Sequence, residues 1–127
     1  MRLASARVCC GFPNPADDHL EGEFDLNELL IKTPSATFLV KGSGVSMKDF
    51  NIWDGDLLIV DCAVEPKDGH IVVACLDKEF TCKQLSMQGG RVRLLAGNDD
   101  FAPIEISPEH DFSVWGVVRG KVTVFKV

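Results

Sequence analysis

From residue 36 onward, apolar positions recur at the two-residue spacing of strands, in segments 37–41, 56–62, 70–76, 79–85, 91–96, 102–106 and 112–126. Asp-Gly, Gly-Gly and Gly-Asn-Asp clusters punctuate them, which predicts a mainly β domain. Leu57-Leu58-Ile59-Val60 is apolar throughout and is expected to be buried on both faces. In Glu79 to Lys83, alternation sets Phe80 and Cys82 on one face and Glu79, Thr81 and Lys83 on the other. The final segment is long for a single strand and is expected to bend near Gly120. Ahead of the strands, Asp25-Leu-Asn-Glu28 fits a capping box and Leu26, Leu29 and Leu30 share a face, predicting a short packing helix that ends before Pro34. Residues 1–24 carry Pro13, Pro15, two adjacent aspartates and little periodicity, so they read as an extended, mobile arm ahead of a domain spanning 25–127.

Composition narrows the classes. A chain of 127 residues with 46% hydrophobic and 25% charged residues buries one core. A net charge of −6 disfavours direct specific nucleic-acid binding, which needs a clustered basic face; Arg91 with Arg93 and Arg119 with Lys121 only alternate along strands. Protein partners are the expectation. Five cysteines, an odd number with no C-x-x-C pair, read as reduced thiols of a cytoplasmic protein. His19, His70 and His110 stand apart, so neither a metal nor another cofactor is expected. No apolar run approaches the ~18 residues of a membrane span.

The candidate chemistry lies in residues 43–61. Ser46 follows Gly42 and Gly44, glycines that let a turn present a hydroxyl beside free backbone amides, as a nucleophile requires. Ser46-Met-Lys-Asp49 fits a helix N-cap box equally well. Lys83 on its strand reads either as a solvent-facing residue or, if buried and neutral, as a general base. His70 is a weaker alternative base, since it follows the Asp68-Gly69 turn. In the arm, Cys10-Gly11 pairs a small residue with a glycine, which lets a backbone approach a nucleophile closely.

Several motifs stand in order. Gly44-x-Ser46-Met47, Asp54-Gly55-Asp56-Leu57, Phe80-Thr81-Cys82-Lys83, Asn98-Asp-Asp-Phe101-Ala-Pro103-Ile104 and Trp115-Gly116-Val117-Val118 together resemble the LexA/UmuD family of self-cleaving serine-lysine peptidases. Asp25-Leu-Asn-Glu-Leu-Leu-Ile31 points to its UmuD branch. The resemblance implies the family's fold of twisted antiparallel strands, with one short N-terminal helix and an extended arm. It also implies Ser46 as nucleophile, Lys83 as base and self-cleavage between Cys10 and Gly11. It further implies a homodimer, a RecA filament as cleavage activator, and a processed form that serves a Y-family translesion DNA polymerase in the SOS response to DNA damage. Only an arm and one short helix precede Ser46, so neither the helix-turn-helix of a repressor nor the membrane anchor of a signal peptidase is expected. The other class of function is a non-catalytic, dimeric polymerase-binding or regulatory module with a vestigial dyad.

Overall fold

The computed structural model describes residues 1–4, 10, 20–23 and 25–127, in two compact units, Met1–Leu30 and Ile31–Val127. In the first unit, β1 (Arg2–Ala4) and β2 (Leu20–Glu23) pair antiparallel with Arg2 opposite Glu23. The only helix of α type among the described residues, α1 (Leu26–Leu30), starts where the sequence places it. Asp25 Oδ1 accepts the Asn27 amide at 2.9 Å, and the Asp25 carbonyl accepts the Leu29 amide at 3.2 Å. The expected packing face is not formed: Leu26 and Leu29 are 43% and 52% exposed. A five-residue helix is too short to carry a continuous apolar stripe. Cys10 is exposed, and Gly11 lies outside the described residues.

The second unit is one seven-stranded antiparallel sheet. Its strands are β3 (Thr37–Lys41), β4 (Leu57–Asp61), β5 (Ile71–Leu76), β6 (Glu79–Gln88), β7 (Arg91–Leu95), β8 (Ile104–Glu105) and β9 (Phe112–Val122). In space they run β3-β4-β9-β5-β6-β7-β8, so the last strand is inserted between β4 and β5. That central place demands curvature. Along β9 the register slips twice, at Trp115 opposite β5 and at Arg119 opposite β4, and each slip is a bulge that bends the strand. The predicted bend near Gly120 corresponds to the second. Gly116, between the bulges, lies so close to β4 that an added Cβ would stand 2.6 Å from a methyl of Val60.

Curvature gives the sheet two apolar clusters. Val72, Ala74, Leu85, Leu94 and Val117 form one, and Leu58, Val60 and Val73 form the other, joined by Cys82 and Trp115. The apolar run of β4 is buried from Leu58 to Val60, as its lack of alternation predicts. This makes β4 a rigid rail, and the loop carrying Ser46 is tied to its start.

Candidate active site

The chain leaves β3 through Gly42-Ser43-Gly44, and that loop is bonded to the turn that opens β4. The Gly42 amide donates to the Asp56 carbonyl at 2.8 Å, the Gly55 amide returns to the Gly42 carbonyl at 2.9 Å, and the Gly44 amide donates to Asp54 Oδ1 at 2.8 Å. Gly44 has φ +84°, a conformation open to glycine at no steric cost. A tight turn follows, closed by the Lys48 amide on the Val45 carbonyl at 3.3 Å, and Met47 is buried beneath it. Ser46 is therefore held on a turn whose next residue is an apolar anchor.

The two readings of Ser46 separate here. A short 3-10 helix begins at Lys48 with Met47 in the cap position, and no side chain caps it. The Ser46 hydroxyl instead accepts a hydrogen bond from Lys83 Nζ at 3.0 Å.

Lys83 sits mid-strand in β6, opposite Val72 of β5, and is only 9% exposed. Thr81, two positions earlier and so on the same face, takes a second bond from Nζ at 2.9 Å, and the Cys82 carbonyl takes a third at 3.1 Å. Three partners suit either protonation state, because an ammonium donates three times and a free amine donates twice and accepts once. Burial favours the neutral form, penalising the charge and pushing Lys83 below the ordinary lysine value. The neighbouring Cys82 thiol is itself pushed up to about 11 by burial, so at neutral pH it carries no charge to hold the ammonium. Among the described residues no carboxylate pairs with Lys83.

Beside the pair opens a cleft of about 190 Å³, walled by Val40, Ile52, Leu58, Val73 and Phe80. Apolar walls around the Ser46 hydroxyl and the Lys83 amine, with Lys41, Ser43 and Thr81 also in the lining, suit an extended peptide with small side chains.

The Peptidase S24-like family matches residues 3–119. The chain belongs to that family. Among its curated relatives are the LexA repressor of Dechloromonas aromatica (strain RCB), 44% identical over 116 residues, and the LexA repressor of Pectobacterium carotovorum subsp. carotovorum (strain PC1), 44% identical over 117. Each match covers 91% of this chain and 57% of the relative, so the chain spans little more than half the length of these proteins. The resemblance to the wider LexA/UmuD group is thus established, and the mainly β architecture agrees with the S24 peptidase fold.

Within this S24 domain, the partners that steady the two candidate residues are the ones that residue-by-residue reading passed over. Thr81 was legible as a same-face neighbour of Lys83, but its hydroxyl contact was not. Asp56, in an Asp-Gly turn that reads as surface, is buried and accepts the Trp53 amide at 2.9 Å, Lys121 Nζ at 3.1 Å and the Thr123 hydroxyl at 2.6 Å. Those bonds, the Thr123 hydroxyl first, hold its carboxyl down at about 2. The network fastens the turn beneath the serine loop to the end of β9. His70 is placed elsewhere: its Nδ1 accepts the Lys67 amide at 3.1 Å and closes the turn before β5. Among the described residues no cluster of His, Cys, Asp and Glu is placed to hold a metal ion, and no helix is long and apolar enough to cross a membrane.

Proposed function

We propose that this S24-family chain is a self-cleaving serine peptidase that cuts its own arm between Cys10 and Gly11, with Ser46 as nucleophile and Lys83 as general base. The observation that carries the reading is the 3.0 Å contact between a buried lysine amine and a serine hydroxyl on a glycine-flanked turn. Neutral Lys83 takes the Ser46 proton as Oγ bonds to the Cys10 carbonyl carbon, and the carbonyl oxygen becomes an oxyanion. Backbone amides of the serine turn receive that charge; among the described residues, the amides of Val45 and Ser46 donate to no protein acceptor. The Lys83 ammonium then protonates the Gly11 nitrogen as the C–N bond breaks. Water attacks the remaining ester as Lys83 takes its proton, the Lys83 ammonium returns that proton to Ser46 Oγ as the C–O bond breaks, and the arm leaves as a Cys10 carboxylic acid that gives its proton to solvent.

In the cell, the reading is a cytoplasmic SOS-response protein of the UmuD kind. Its cleavage is promoted by a RecA filament, and its processed homodimer is an accessory subunit of a Y-family error-prone polymerase. The branch-specific segment from Asp25 to Ile31 supports this. The 44% identity to two LexA repressors favours a second reading, a LexA-like switch whose cleavage ends a regulatory interaction and serves no polymerase. The arm 1–24 is the substrate and 25–127 the peptidase in both. The test is an intact-mass time course of the purified chain at mildly alkaline pH, with and without RecA on single-stranded DNA, followed by pull-down of a Y-family polymerase with the product. A product running from Gly11 to Val127 is expected, faster with RecA and retained by the polymerase. An unchanged mass overturns the peptidase reading, and a product that ignores the polymerase overturns the accessory role.

A further inference from the structure

The loop between β7 and β8 reaches the back of the serine turn. Asn98, 5% exposed, donates from Nδ2 to the Val45 carbonyl at 3.0 Å, and its Oδ1 accepts the Asp100 amide at 3.0 Å. One partner is an obligate acceptor and the other an obligate donor, so the side-chain amide has a single satisfied orientation. The adjacent Gly97 carbonyl accepts the Asp49 amide at 2.7 Å. A Cβ at Gly97 would stand 2.5 Å from the Phe50 ring, so the close approach of this loop requires glycine there.

The Val45 carbonyl and the Ser46 N–H belong to one trans peptide plane and point in opposite directions. A bond that fixes the carbonyl therefore fixes the amide. Ser46 lines the cleft and Asn98 does not, so the pinned carbonyl faces the loop and leaves the Ser46 N–H to the other side of the plane. Without Asn98, that carbonyl is held only by the long 3.3 Å bond from the Lys48 amide, and the peptide is free to rock.

We propose that Asn98 is a positioning residue for the cleavage reaction: through the Val45 carbonyl it aims the Ser46 amide at the oxyanion. The inference rests on the serine-lysine reading above. An oxyanion donor is effective only when it is preorganised toward the oxygen that gains charge, and removing one typically costs about 10²–10³ in rate. Asn98 touches neither Lys83 nor the hydroxyl, so its loss lowers the rate without changing where the base titrates.

The experiment compares self-cleavage against pH for the full chain and for Asn98→Asp, Asn98→Ala, Ser46→Ala and Lys83→Ala, with rates taken per folded molecule from circular dichroism. Asn98→Asp keeps the acceptor for the Asp100 amide and loses the donor to Val45, so it separates the turn contact from loop structure. Both Asn98 variants are expected to lose at least about tenfold in plateau rate, with an unchanged pH midpoint. Phosphonylation of Ser46 by a fluorophosphonate, which needs the same amide and no arm, is expected to slow in parallel. Wild-type rates in both Asn98 variants, beside inactive Ser46→Ala and Lys83→Ala, overturn the assignment and leave the dyad standing. A shifted midpoint, or a loss confined to the unfolded fraction, overturns it too. Cleavage that survives Ser46→Ala overturns the serine-lysine reading itself.

Discussion

A lysine taken out of water gives up solvation that hydrogen bonds return only in part, and in a self-cleaving peptidase that cost supplies a reactive amine. Lys83 was visible in the sequence as a strand residue sharing a face with Thr81. Its burial was not visible, because it depends on Ser46, 37 positions earlier, arriving over the same face. The linkage has a definite sign. The folded state holds the Lys83 proton less tightly than the unfolded chain, so between the depressed folded value and about 10.4 the unfolded chain binds more protons and stability rises with pH. Lys83→Met is accordingly expected to compare best with wild type at neutral pH and to lose ground toward pH 10, as read by urea denaturation at both; a constant difference contradicts a shifted amine. Ser46→Ala is expected to abolish cleavage while changing stability by less than the roughly 0.5–2 kcal/mol that loss of a serine cap costs, since no side chain caps the helix that follows.

At the scale of elements, alternation and turn residues located the strands well: β3 occupies 37–41 as expected, β4 is shorter than expected by a residue at each end, and β5 by a residue at its start. Tertiary context set the rest. β6 runs on to Gln88 because β7 pairs with it through Arg91, beyond where its apolar pattern stops. The bulges at Trp115 and Arg119 leave no signature in polarity, since an extra residue shows only against a partner strand. The Gly97-Asn98-Asp99 cluster read as punctuation, yet its glycine sets how closely the loop approaches Phe50. Gly97→Ala is expected to destabilise by about 1–3 kcal/mol and to slow cleavage, because the added methyl displaces the serine turn. Thermal melting and the cleavage rate check the two parts separately. Asp56 makes a complementary prediction at low pH. With its carboxyl held at about 2 against an ordinary 3.8, its contribution to stability is present above the ordinary value and is lost as pH falls through about 2. Asp56→Asn is expected to weaken the fold at neutral pH and to approach wild type near pH 2, in denaturation curves recorded at each pH.

For the whole molecule, the proposed self-cleavage requires two conditions to coincide: Lys83 neutral, and the Cys10-Gly11 bond brought to Ser46. The sequence carried both candidates and their order, but only the fold puts Lys83 against Ser46. In the proposed function, an activator such as a RecA filament would act on the second condition. It would shift an equilibrium by its differential affinity, and is expected to raise the rate at neutral pH without moving the midpoint of the pH profile. The first condition is the central claim, and the pH dependence of unassisted self-cleavage in wild type, Lys83→Ala and Lys83→Arg tests it most directly. The wild-type rate is expected to climb about tenfold per pH unit and then level off below the ordinary lysine value, while both variants stay inactive, arginine because it remains charged. A flat wild-type profile, or serine-dependent cleavage that persists in Lys83→Ala, would contradict the account.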